Sequence, residues 1–144
     1  NVAVLQGAKL SSSHKYRYSQ EGSIELAKFA KRNGARPVLF AEWPRKGWNE
    51  TDYILGIYNE ISKATGAEIA PVPIAWDMLM AKRPNLPMWA GDGNHAQELG
   101  TYLAALTIYY TVTGSQRTPK WRPARMDDAT ADLFVKCAQA ATGD

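Results

Sequence analysis

The sequence predicts an α/β protein, a parallel β-sheet with helices packed on both faces. Three observations predict it. Short apolar runs alternate with longer segments of helical periodicity. The connection between one apolar run and the next is long enough to hold a crossover helix, which makes neighbouring strands parallel. A glycine stands at most of the expected boundaries, at Gly7, Gly34, Gly66 and Gly114.

Taken in order, "VAVLQG" (2–7) reads as a first strand ending at a glycine. "AKLSSSHKYRYSQEG" is polar and reads as a solvated loop, His14 included. Ser23 is placed to cap a helix over 24–33, with Leu26, Phe29 and Ala30 on one face and Gly34 closing it in the left-handed conformation. "RPVLFAEW" (36–43) is a second strand. Thr51 to Thr65 carries Ile54, Ile57, Tyr58 and Ile61 at the spacing of an amphipathic helix, and Gly66 stops it. "AEIAPVP" (67–73) is a third strand, its end marked by two prolines. A short helix follows over 74–82, then the longest, expected to begin at His95 and run to Thr113 with Leu99, Leu103, Leu106 and Tyr110 along one stripe. A basic loop (115–128) leads to a last helix over 129–141, where Cys137 shares a stripe with Leu133 and Ala141 and reads as a buried thiol. The whole of 1–144 is expected to be one domain portion, with its core in 1–114.

Composition narrows the classes. The chain has 144 residues, enough for one core, with 45% hydrophobic and 22% charged residues. A net charge of +3, dispersed along the chain, argues against a nucleic-acid partner. No apolar run reaches membrane-spanning length. One cysteine excludes an internal disulfide and says little of compartment. The abrupt start at Asn1, inside a strand, leads us to expect that the true N-terminus lies elsewhere.

The segment with the most chemistry in it is "GDGNHAQELG" (91–100). A turn bringing residue i near i+3 lets the Asp92 carboxylate accept a hydrogen bond from His95 Nδ1–H. That bond fixes the tautomer and leaves Nε2 free to take a proton from a nucleophile. Gly91 and Gly93 supply the backbone freedom of a tight turn. The plainer alternative is a helix cap, Asp92 or Asn94, with His95 in the first turn. In an open α/β sheet, ligands bind beyond the carboxyl ends of the strands, so Gln6, Gly7, Glu42, Trp43 and the loop to Asp92 are expected on one rim. Gln6 is a candidate oxyanion donor through its amide. Trp43, Trp48 and Trp89 are candidates to stack on a sugar ring, or to pack in the core.

The run from Asp92 and His95 through Gly100 and "TYLAAL" (101–106) to Gly114 resembles the C-terminal signature of the SGNH hydrolases, the GDSL-like serine esterases. In order before it, "VAVLQG", "PVLFAEWP" and "IAPVPIAW" are similar to strand ends of one subgroup, with Glu42 where threonine is usual. The resemblance covers about residues 1–114. It implies a flavodoxin-like three-layer αβα fold and a Ser-His-Asp triad acting on a small acyl ester, such as an acetylated sugar. His95 would be the general base, Asp92 its orienter, Gln6 and Gly7 the oxyanion side, and Trp43, Trp89 and Asn94 the substrate contacts. It implies no metal and no cofactor.

The family's Gly-Asp-Ser nucleophile and its Gly-x-Asn donor have no counterpart here. The expected partner is therefore a second chain or fragment, or preceding residues, that carries the N-terminal part and the serine and pairs with strand 2–6. The alternative is a catalytically inactive carbohydrate- or ligand-binding module on the same fold. Asp92 and His95 as metal ligands is the third possibility, lacking further ligands nearby.

Overall fold

The computed structural model describes residues 1–8, 10–115 and 117–143. Its elements run β1 (Val2–Leu5), α1 (Glu21–Arg32), β2 (Arg36–Phe40), α2 (Thr51–Thr65), β3 (Glu68–Ala70), α3 (Val72–Lys82), α4 (Glu98–Thr113) and α5 (Asp128–Ala141). The three strands form one parallel sheet in the order β1-β2-β3, with Val4 beside Val38, Leu5 beside Leu39 and Leu39 beside Ile69. The chain is thus α/β with a three-stranded parallel sheet and five helices, compatible with a flavodoxin-like arrangement.

Alternation along β2 divides the interior in two. Leu39 faces a cluster with Ala27 of α1 and Ile54, Ile57, Tyr58 and Ile61 of α2. Phe40 faces the other cluster, built on Trp76 and Leu79 of α3, Leu103, Leu106 and Tyr110 of α4, and Phe134 and Ala138 of α5. The last helix is thus part of the main core, which extends beyond residue 114. Cys137 is buried there, and burial pushes its thiol pKa up.

Boundaries differ from the sequence expectation for local reasons. The strands stop short, at Leu5, Phe40 and Ala70. Ala70 is followed directly by α3, because Pro71 and Pro73 fit the cap and first turn of a helix, where a missing N–H is no loss. Helix α1 starts at Glu21 with Gln20 as its cap residue. Ser23, expected as the cap, lies inside the first turn and its hydroxyl donates to Gly7 O at 3.4 Å. Gly34, Gly66 and Gly114 all have positive φ, as expected.

The inward face of α1 is Ala27 and Ala30; Leu26 and Phe29, grouped with Ala30 on one face by the sequence, are 47% and 57% exposed. On β1, Val2 and Val4 are 41% and 45% exposed. Val4 shares the face of Val38 through the register, yet α4 packs on the sheet at β2 and β3 rather than at β1. Four large apolar side chains therefore gather around one free edge of the sheet.

One glycine decides how closely two layers approach. A Cβ on Gly100 of α4 would lie 2.5 Å from Met88 O and would also run into Trp76 Cη2. Neither the backbone carbonyl nor the fully buried indole can retreat cheaply. Gly100→Ala is expected to cost about 2–3 kcal/mol despite the helix preference for alanine. A urea melt that leaves stability within about 0.5 kcal/mol of the parent would show that this contact relaxes easily.

Candidate functional site

The turn at 88–97 is held from both ends. Trp89 and Ala96 form an antiparallel bridge, Ala90 N–H donates to His95 O at 2.7 Å, and Gln97 N–H donates to Met88 O at 2.9 Å. Between them Gly93 takes φ +70°. Asp92 Oδ1 accepts the backbone N–H groups of Asn94 (2.9 Å) and His95 (3.0 Å), and Asp92 Oδ2 accepts His95 Nδ1–H at 2.5 Å. The expected carboxylate–imidazole bond is therefore present. The expected helix start is not: α4 begins at Glu98 with Gln97 as its cap residue, three residues after His95. Asp92 satisfies the N–H groups of its own turn, so it caps no helix, and the bridge to Trp89 draws the chain out before the helix can begin.

The electrostatics follow from that geometry. Hydrogen bonds from His95 and from two backbone N–H groups hold the Asp92 carboxyl at about 2. The same carboxylate raises the His95 pKa above its ordinary 6.5. The His95 side chain is 76% exposed, and among the described residues no group hydrogen-bonds its Nε2. The imidazole is thus fixed at Nδ1 and open at Nε2.

The neighbouring residues are tied to this turn by tryptophans. Trp43, just past β2, donates its indole N–H to Asn94 O at 2.8 Å and stacks on Trp76 with centroids 5.4 Å apart. Trp89 donates to Pro44 O at 2.8 Å and packs on the edge of Trp76. Lys46 N–H donates to Gly93 O at 2.8 Å. Trp43 and Asn94 line one cavity of about 260 Å³, together with Ala8, Ser11 and Glu42. Trp89 lines a different cleft, so the two tryptophans expected to contact one substrate face separate depressions. Gln6 lies at the end of β1, where its amide donates to Glu42 Oε1 at 2.5 Å, and Gly7 beside it has φ +122°. Gln6 and Glu42 thus meet on the rim as the topology requires, with one N–H of the Gln6 amide engaged by the carboxylate. Among the described residues no group of three or more His, Cys, Asp or Glu side chains is placed to hold a metal ion. No helix among them is long and apolar enough to cross a membrane.

A second constellation was missed in the sequence. His14 was expected in solvent, but its Nε2–H donates to Glu50 Oε1 at 2.7 Å and its ring stacks on Tyr53 at 4.2 Å. Ser11, also expected in solvent, is buried, and its N–H donates to the Tyr53 hydroxyl oxygen at 3.1 Å. Arg45 grips the same Glu50 with Nε and Nη2 and donates from Nη2 to Ser12 O. The loop 10–18 is therefore latched to the head of α2. His14 takes φ +58°, a conformation histidine tolerates better than most residues, and the loop's sequence carries no signal of the latch.

Burial alone would push the Glu50 carboxyl up; Arg45, through its side chain and backbone N–H, and His14 outweigh it and hold it at about 2. The sign follows. A carboxyl with a depressed folded pKa adds stability above its ordinary 4.5, and this stability is lost as pH falls from there toward about 2. Glu50→Gln should therefore cost about 2–3 kcal/mol near neutrality and flatten the acid limb of the stability curve between those values. Parallel urea melts of parent and variant across that window test it; an unchanged acid limb would remove Glu50 from the latch.

Comparison with protein-family models, with curated proteins and with solved structures returns no match to this chain.

Proposed function

We propose that this chain is the C-terminal part of a serine ester hydrolase of the SGNH type, acting on a small acyl ester such as an acetylated sugar. The observation that carries the proposal is the imidazole of His95, tied at Nδ1 to Asp92 and open at Nε2. In this mechanism a serine Oγ attacks the acyl carbonyl while its proton passes to Nε2. The tetrahedral intermediate collapses, the acyl–oxygen bond to the alcohol breaks, and the alcohol leaves with the proton held on Nε2. Water, deprotonated by the same nitrogen, then releases the acid and restores the serine. Asp92 stabilises the imidazolium at each stage and keeps the tautomer.

The serine is proposed to come from a segment that pairs with β1. What supports this is the free parallel edge of β1, with Val2 and Val4 uncovered on one side and Leu26 and Phe29 on the other. Parallel strands are normally covered on both faces, and an apolar open edge invites pairing. In that arrangement the flavodoxin-like sheet continues beyond β1. A catalytically inactive binding module on the same scaffold is the second reading. The observation in its favour is that, among the described residues, no hydroxyl reaches His95 Nε2.

Two measurements separate these. In natively purified protein, His95→Ala should lower turnover of a short acyl ester by several orders of magnitude, up to about 10⁶-fold, without unfolding the protein. Absence of turnover in the parent, or near-normal turnover in the variant, overturns the hydrolase. The base works only when neutral, so the rate should rise with pH through a midpoint above 6.5. In Asp92→Asn that midpoint should fall as the rate falls, because the group that raises the imidazole pKa is gone. For the edge, native mass spectrometry should detect a second polypeptide or additional chain bound to this one. A lone, stable 15.9 kDa monomer would dismiss the partner and favour the binding module.

A further inference from the structure

The cleft that receives Trp89 has a composition of its own. It has a volume of about 390 Å³ and lies between the 44–49 loop and α3. Trp48 and Trp89 are in its wall, with Trp76 behind them and Asp77 and Asn49 beside them. Arg45 lies over Trp48, its guanidinium carbon 4.3 Å from the ring centroid, yet Trp48 is still 53% exposed. Trp76 is fully buried, and its indole N–H has no hydrogen-bond partner among the described residues. A buried donor left unmet costs free energy, and Trp76 carries that cost at the back of the cleft. Asp77 has one carboxylate oxygen engaged by the Thr51 hydroxyl at 2.5 Å. Its other oxygen accepts no hydrogen bond from the described residues.

Charge selects among ligand classes. A cation entering the cleft would meet Arg45 already stacked on Trp48, the exposed indole of its wall. An anion would meet the Asp77 carboxylate, while the Arg45 guanidinium is taken up by Glu50 and Ser12 O. A neutral ligand escapes both. It needs a flat apolar face for Trp48 and hydroxyls that serve as donors to Asp77 and Asn49 and as acceptors for an indole N–H. A pyranose ring carries its C–H groups on its faces and its hydroxyls at its edge, and so meets all these demands.

We infer that the cleft between the 44–49 loop and α3 is a binding site for a neutral saccharide, with Trp48 as stacking platform and Asp77 and Asn49 as hydroxyl partners. The inference stands apart from the ester-hydrolase proposal. Binding is read without turnover, so either can fail while the other holds.

The test is a titration of the protein followed through its five tryptophan indole N–H signals by ¹H–¹⁵N NMR. The probes are methyl β-glucopyranoside and cellotetraose, with choline chloride and inorganic phosphate as the charged alternatives. Saccharide should shift the Trp48, Trp76 and Trp89 signals saturably, in the millimolar range usual for small open sites, and leave the exposed Trp121 unmoved. Trp48→Ala should weaken saccharide binding by about tenfold or more. Should that variant lose its fold by circular dichroism, Asn49→Ala and the parent titration decide the matter. Absence of saturable shifts with either saccharide overturns the inference, as does choline or phosphate saturating the same signals instead. Binding unchanged in a folded Trp48→Ala protein also overturns it.

Discussion

Trp76 is the side chain on which the rim of this molecule is assembled. Its indole is fully buried on α3, stacked against Trp43 from the end of β2 and packed against Trp89 from the turn before α4. Its far edge lies against Gly100, so the backbone of α4 comes as close as a hydrogen atom permits. Three elements distant in sequence are thereby fixed on one ring system. Each flanking tryptophan then uses its N–H to hold a carbonyl of the other's segment, Trp43 at Asn94 and Trp89 at Pro44. The apolar stack provides the burial and the two indole donors provide the register. The position of Asp92 and His95 relative to the sheet follows from that pair of bonds rather than from the helix that comes after them.

Around this centre the fold separates into a half that is closed and a half that is not. The α3–α4–α5 side is a continuous apolar cluster in which even Thr107 is buried, with its hydroxyl returned to Leu103 O at 2.9 Å. The α1–β1 side ends in exposed valine, leucine and phenylalanine. Of the two edges of the sheet, the β1 edge carries the exposed Val2 and Val4. The latch from His14 through Glu50 to Arg45 crosses from the loop after β1 to the head of α2, so it ties that loop to the helix packed on the Leu39 face of the sheet.

Much of the architecture was legible because it is written in local terms. The apolar spacing of α2 and the glycines at 34, 66 and 114 placed elements to within a few residues, since positive φ and helical periodicity leave marks in the sequence. The Asp92–His95 bond was legible for the same reason: both partners lie within one turn. Four features were hidden. The Glu50 latch joins residues 36 apart, and nothing in "SSSHKYRY" distinguishes a stacked histidine from a solvated one. The start of α4 moved from His95 to Glu98 because a β-bridge, a non-local bond, overrode a plausible cap. Leu26 and Phe29 lie three apart on α1, and periodicity shows that a stripe exists, not whether anything covers it. Trp43 and Trp89, grouped by residue type, were separated by tertiary structure into different depressions.

The closure of the 92–95 turn upon itself has a consequence for control. Every bond that orients the His95 ring comes from within four consecutive residues, with both oxygens of one carboxylate employed. The tautomer is therefore set within a short segment, whereas the proton affinity still answers to burial, since a partner covering this exposed ring would lower it. On the proposal made above, the ring would be oriented before any serine arrived. Assembly would then set two things at once, the distance from the hydroxyl to Nε2 and the proton affinity of the imidazole.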